Sequence, residues 1–418
     1  MASLEDQVAR AAELPPDAAA AAYLAVVRDA GAGGADAIKA KEDAVAKLGA
    51  LYVKEGQGEP IRALLAELRP FFATVPKAKT AKIVRMLLDM VAQIPGTVAL
   101  QVALCTEIRE WSSAEKRTFL RQRVETRLAS LQLDAKDYQP ALALLTSLLT
   151  EVKRLDDKAQ LVEIHLLESR AHLALRNMPK SKAGLTAART AANAIYVPPS
   201  MQAQLDTQTG IVGAEEGDFR TAYSYFFEAF EQFSSLEDST NAVRALKYML
   251  LCKVMGANTE DINAIISTKN ALKYAGPQVD SLKAVADAFT ERSLAAFEKA
   301  LETYAEHLTG DPVLKTHLGA LYDTMLEKNL KRLIEPFSQV EISHLAELIN
   351  LPLPAVEKKL SQMILDDKLK GTLDQGSGNL VVFDEVVEDK LYPAALETIE
   401  ALGKVVKNLH KRSVKLLA

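Results

Sequence analysis

Six histidines, at positions 165, 172, 307, 317, 344 and 410, and two cysteines, Cys105 and Cys252, are the side chains best suited to metal binding or nucleophilic chemistry. His165 and His172 share a helix face, but seven residues is two turns, too far for both rings to bind one metal ion in the usual way. The cysteines match no zinc spacing, are too few for a disulfide framework and sit in apolar helical runs, where a small buried hydrophobe is expected. The sequence has no His-Glu-x-x-His, no Gly-Lys-Ser/Thr phosphate loop, no Gly-x-Gly-x-x-Gly after a strand and no Gly-x-Ser-x-Gly elbow. Gly31 to Gly34 has neither a following lysine nor a preceding strand and reads as linker. Asp156-Asp157 and Asp366-Asp367 lie where helices start or end, so capping and solvation account for them. We therefore expect no catalytic residue, no cofactor and no metal site.

The chemistry that remains is surface recognition. Between Arg69 and Arg85 the chain carries Lys77, Lys79 and Lys82 with no Asp or Glu. On a helix, Lys79, Lys82 and Arg85 line one side while Ile83, Leu87 and Val91 turn inward. The run is either a solvated helix face or a docking surface for an acidic partner or the C-terminal end of a partner helix. A second candidate is the segment 390–418, read as one long helix entered through Pro393. Ala395, Leu402, Leu409 and Leu416 form one seven-residue line and Ile399 and Val406 the next. Acidic residues lie early and basic ones late, which suits the helix macrodipole. Such a stripe packs back on its own domain or enters an intermolecular bundle.

Behind these surfaces stands a chain of 418 residues that is 49% hydrophobic but 6% aromatic, with 64 alanines and few glycines and prolines. That composition predicts an all-α protein with two or three cores rather than a disordered one. Fifty Lys and Arg against 55 Asp and Glu give no global basic field for nucleic acid. No uncharged apolar stretch reaches membrane-spanning length, and the opening Met-Ala-Ser-Leu-Glu-Asp lacks a basic leader, so a soluble intracellular protein without membrane contact is expected.

The elements repeat. Lys136-Asp137-Tyr138, Arg176-Asn177-Met178 and Gly217-Asp218-Phe219 are turns 40 and 41 residues apart. Small residues follow at Ala141, Ser181 and Ala222, larger ones at Leu145, Leu185 and Phe226, then Leu148, Ala188 and Ala229. Ala129, Ser169 and Gly210 precede them in register. Small side chains let the two helices of a hairpin cross closely, and the larger residue fills the groove between hairpins. This is a tetratricopeptide-like solenoid with a lengthened repeat, flanked by helix-sized segments such as 83–94, 98–108 and 285–307.

After about 311 the order changes: a helix over 314–334, a short strand over 337–340, a helix over 341–349, a second helix to about 366, and a hairpin whose strands are 368–374 and 380–383. That is the order of a winged helix. The exposed face of its second helix carries Glu357, Lys358, Lys359, Gln362, Asp366 and Asp367, a mixed charge without arginine, which argues against DNA reading and for protein packing. We divide the chain into a flexible Ala-rich extension (1–38), the solenoid (39–310), the winged helix (311–385) and the terminal helix (386–418).

This order, with Arg69-Pro70-Phe71-Phe72, Lys77 to Arg85, Gly217 to Glu231 and Gln375-Gly376-Ser377-Gly378-Asn379-Leu380, resembles the PCI-domain scaffold subunits, those of the proteasome lid above all. Related scaffolds of the signalosome and of translation initiation factor three are the alternative, and a winged-helix nucleic-acid binder is the alternative of another class. The resemblance implies a non-catalytic, cytoplasmic and nuclear protein whose winged helix packs beside other PCI lid subunits. It also implies a C-terminal helix that enters a lid bundle through Ile399, Leu402, Val406 and Leu409. The solenoid would reach the ATPase ring and a core-particle α-subunit, with Lys77, Lys79, Lys82 and Arg85 as a candidate docking face.

Overall fold

The computed structural model describes residues 11, 15–28, 35–256, 260–349, 351–374, 376, 378–383 and 391–417. It divides into two compact units, Met1–Cys252 and Lys253–Ala418.

The first unit is helical throughout its described residues. Helices α1 (Pro16–Arg28), α2 (Ala35–Lys54), α3 (Glu59–Glu67), α4 (Arg69–Thr74), α5 (Lys77–Ala92), α6 (Val98–Ala114) and α7 (Thr118–Asp134) share the first core. They continue into α8 (Tyr138–Leu155), α9 (Lys158–Ala174), α10 (Met178–Asn193), α11 (Pro199–Glu215), α12 (Phe219–Ser235) and α13 (Ser239–Met255). Within the expected extension over 1–38, residues 16–28 form the packed helix α1. Ala19, Tyr23, Val26 and Val27 are buried in that core, and Arg28 forks onto the Glu67 carboxylate at 2.8 and 3.1 Å, tying α1 to α3. Alanine, the strongest helix former, makes α1 continuous, so its few larger apolar residues fall on one face.

The repeat has a half-period that the sequence conceals. Lys116, Lys136, Asp156, Arg176, Gly217 and Glu237 all have positive φ, 20 residues apart except across the longer 193–199 connection. Each left-handed residue ends one helix, and the residue after it starts the next. Four of these successors, Asp157, Asn177, Asp218 and Asp238, accept a hydrogen bond from the backbone N–H three positions on, at 3.2 to 3.4 Å.

Between the turns the small residues do what their size permits. Ala129, Ser169, Ala141, Ser181, Ala222, Ala188 and Ala229 are fully shut from water. The Ser181 hydroxyl donates to the Ser169 carbonyl at 2.9 Å and lies 3.1 Å from the Ser169 hydroxyl, so both serine hydroxyls are paired where α9 and α10 cross. At Gly210 the Phe226 ring occupies the space a β-carbon would take: a built Cβ would lie 2.6 to 2.8 Å from three ring carbons.

The second unit opens with α14 (Glu260–Ile266), α15 (Lys269–Leu272), α16 (Pro277–Glu291), α17 (Leu294–Thr303) and α18 (Ala305–Thr309). The single helix expected over 285–307 is thus broken. Arg292 adopts φ 54°, and Ser293 restarts the chain by accepting from the Ala296 N–H. Then α19 (Pro312–Ile334), β1 (Gln339–Glu341), α20 (Ile342–Ile349), α21 (Leu353–Leu365), β2 (Gly371–Asp374) and β3 (Asn379–Val382) form the winged helix. The sheet order is β1-β3-β2, antiparallel throughout, with Leu380 opposite both Val340 and Leu373. Phe337 stays outside β1 because its N–H bonds the Ile334 carbonyl and closes α19. Of the expected wing tip, residues 375 and 377 lie outside the described residues. The last element is α22 (Leu391–Leu417).

Candidate interaction surfaces

The basic run is held on the first two and a half turns of α5, between Pro76 at its entry and the buried Ile83, Val84, Leu87 and Leu88. Lys77, Lys82 and Arg85 are exposed. Lys79 is not equivalent to them: it is half-buried, with Nζ 3.2 Å from Glu42 of α2. The sequence placed four like charges together; the fold spends one of them on an internal ion pair. Arg117 fixes the backbone ahead of α5. Its guanidinium is buried, lies 5.0 Å from the Trp111 ring centre, and donates to the Phe72 carbonyl at 2.8 Å and to Glu115 at 2.7 Å. No sequence signal points to Arg117, since the Phe72 carbonyl it holds lies 45 residues away in the chain.

The second surface is α22, which has 27 residues. Every side chain described on it, from 391 to 414, is exposed. Ile399 is 65% accessible, Leu402 58%, Val406 60% and Leu409 61%, and Leu396, Val405 and Val414 extend the apolar strip. Burying such side chains is worth roughly 1.5–3 kcal/mol each. The strip gains none of this from its own chain among the described residues.

In the winged helix, Lys359 changes the reading of the α21 face. It is buried, and its Nζ lies 3.1 Å from Glu327 and 3.3 Å from Asp323, both on α19. Lys368 adds a bond to Glu327 at 2.8 Å. Burial alone would raise the Glu327 carboxyl; the bonds from Lys368 and Lys359 outweigh it and hold the group below the usual range. One of the two lysines expected on the exposed face therefore locks α21 to α19 and is unavailable to phosphate.

The residues with chemical potential are placed as follows. Cys105 and Cys252 are free and buried, and burial pushes their thiols up to about 11 and about 12. His165 and His172 line an open groove of about 600 Å³ bounded by α8 and α10. Nδ1 of His165 bonds Glu168 at 2.9 Å, which draws the carboxyl below its usual range, while burial lowers His172. Among the described residues no group of three His, Cys, Asp or Glu could hold a metal ion, and no helix is long and apolar enough to cross a membrane.

A capped helical repeat, a small winged helix and an exposed terminal helix define a PCI-type module. Family models agree segment by segment. Residues 2–135 match the 26S proteasome regulatory subunit RPN6 N-terminal domain, 301–384 the PCI domain, and 388–412 the 26S proteasome subunit RPN6 C-terminal helix domain. The chain is 59% identical to a "26S proteasome non-ATPase regulatory subunit 11 homolog" of Arabidopsis thaliana, over 92% of this chain and 91% of that protein. It is 49% identical to a "probable 26S proteasome regulatory subunit rpn6" of Schizosaccharomyces pombe, covering 88% and 87%. Against the Saccharomyces cerevisiae 26S proteasome regulatory subunit RPN6 it is 42% identical, covering 89% and 87%. The chain belongs to the family of 26S proteasome non-ATPase regulatory subunit 11, also called RPN6. The signalosome, initiation-factor and nucleic-acid readings are not favoured by these matches.

Proposed function

We propose that the chain is a non-catalytic scaffold of the proteasome regulatory particle lid, acting in ubiquitin-dependent protein degradation in cytoplasm and nucleus. Its winged helix packs beside other PCI subunits, α22 joins a helical bundle that organises lid assembly, and the solenoid reaches the ATPase ring and a core-particle α-subunit. The observation that carries this reading is α22, whose apolar strip is exposed over its whole described length. Within the basic run, Lys77, Lys82 and Arg85 are the docking group, and Lys79 supports α5 from behind through Glu42.

The test replaces Leu402 and Leu409 by Asp in the full chain. Because neither packs on its own unit, thermal unfolding of the isolated chain stays unchanged while incorporation into the lid is lost, each Asp placing an unpaired charge in an apolar seam. Normal incorporation would sink the bundle reading. Purification of the tagged wild type recovers lid, ATPase and core-particle subunits; signalosome subunits without ATPases would overturn the assignment.

A further inference from the structure

The strip on α22 keeps strict heptad spacing. One line runs through Tyr392, Ile399 and Val406, the other through Ala395, Leu402 and Leu409, alternating three and four residues as a packed seam requires. The next member of the first line is Ser413, the one aliphatic hydroxyl in either line. It is exposed, its Oγ donates to the His410 carbonyl at 2.9 Å, and His410, Lys411 and Arg412 stand immediately before it. It also lies four residues from the end of the helix, where the last carbonyls have no intrahelical donors and the turn opens readily.

We propose that Ser413 is a phosphorylation site for a serine kinase directed by basic residues on the N-terminal side, and that the phosphate blocks entry of α22 into its bundle. The inference rests on the bundle reading above. In the transfer, Ser413 Oγ forms a bond to the γ-phosphorus of Mg-ATP, the bond from that phosphorus to the bridging oxygen breaks, ADP leaves, and the hydroxyl proton passes to the kinase's carboxylate base.

The product carries a charge of about −1.5 to −2 at a seam position. Three effects then act in one direction. An apolar seam does not solvate a phosphate. The C-terminal end of a helix is the wrong end for an anion. And although Lys411 and Arg412 attract the kinase, they stand one and two positions away and so do not face Ser413 on a helix, where only His410, three positions before it, does. Once the seam closes the hydroxyl is covered, so the modification acts on the chain before assembly.

The experiment treats recombinant full-length chain with a panel of purified basic-directed serine kinases and Mg-ATP, maps the sites by mass spectrometry, and measures co-assembly with recombinant lid subunits. Ser413→Glu, Ser413→Ala and the Leu402→Asp/Leu409→Asp pair run in parallel. We expect stoichiometric modification at Ser413 that Ser413→Ala abolishes. Incorporation falls at least tenfold for the phosphorylated and Ser413→Glu chains and is unchanged for unmodified Ser413→Ala. Failure of every kinase to modify Ser413 overturns the proposal. So does normal incorporation of the phosphorylated chain when the leucine pair is blocked. Normal incorporation of the leucine pair removes the bundle reading itself.

Discussion

Replacing Gly210 by Ala isolates the packing rule on which the solenoid rests. In an open helix interior this change stabilises by about 1 kcal/mol, because glycine carries the larger entropic cost of ordering. At Gly210 the new methyl would meet Cε1, Cζ and Cδ1 of Phe226 at 2.6, 2.7 and 2.8 Å. The ring has little freedom to withdraw, since Phe226 is 1% exposed and packs on Tyr248 with ring centres 5.1 Å apart. Overpacking of this kind costs about 1–3 kcal/mol, so the net effect is a destabilisation of about 0–2 kcal/mol. Gly319 in α19 and Gly403 in α22 have nothing within 4 Å of a built Cβ, so alanine there should stabilise by the full propensity term. In a Phe226→Leu background the Gly210→Ala change should turn favourable, a coupling of about 1–3 kcal/mol in the double-mutant cycle. Hydrogen exchange, of the α11 and α12 amides for Gly210→Ala and of the α19 amides for Gly319→Ala, is the appropriate assay, because it reads local opening in a chain of two units that need not unfold as one. Equal stabilisation by Gly210→Ala and Gly319→Ala, with no coupling to Phe226, would refute the reasoning.

Lys136→Gly and Arg176→Gly should each stabilise the first unit by about 0.5–1 kcal/mol, and Gly217→Val should cost about 1–2, because these residues hold left-handed backbone; urea midpoints followed by a first-unit probe check the signs. Lys359→Met should destabilise the winged helix by about 2–3 kcal/mol, since it leaves Glu327 beside Asp323 with the bond from Lys368 but without the buried ammonium, and hydrogen exchange in α21 reads the loss. The folded Glu327 carboxyl sits below its unfolded value, so its contribution is present above about pH 4.5 and disappears as pH falls through the folded pKa. Lys359→Met should therefore move the acid-unfolding midpoint upward, and an unmoved midpoint would show that the ion pairs are incidental. Cys105 and Cys252 should resist an aromatic disulfide reagent at pH 8 and react at once in denaturant, their thiols being raised to about 11 and about 12; rapid labelling of the folded chain would contradict their burial.

What the sequence disclosed depended on whether the signal was local. Gly210, Ser169 and Ala129 were legible because a helix crossing demands small residues at a fixed spacing, and three copies in register exceed what packing alone produces. The winged helix was legible through its hairpin and its Pro-bounded helices. The half-repeat was not. Its left-handed joints are Lys116, Lys136, Asp156, Arg176 and Glu237, and a lysine or arginine in that conformation carries no mark in the sequence, whereas Gly217 does. The same blindness hid the break at Arg292. Helix α1 reads as part of a flexible extension in the sequence because an alanine run resembles low complexity until Tyr23, Val26 and Val27 are seen to share a core. Lys79 and Lys359 read as surface charge in the sequence because their acids lie 37 and 32 to 36 residues away, on other helices.

The corrected charges sharpen how recognition and stability divide the chain. Lys79 and Lys359 both sit in clusters that a sequence reader assigns to partners, yet each is anchored to a carboxylate on a neighbouring helix and so contributes to the position of the surface rather than to its affinity. Reversing Lys79 would put a second acid beside Glu42 and disturb α5 itself, so weakened docking in that variant would not discriminate contact from folding. A reversal of Lys77, Lys82 and Arg85 that leaves Lys79 in place does discriminate: these side chains are exposed, their loss leaves the helix intact, and a salt-sensitive loss of affinity for the proposed ATPase and core-particle partners then belongs to the interface alone. Unchanged affinity in that variant, at low salt and with α5 protected from exchange, would return the run to plain solvated surface.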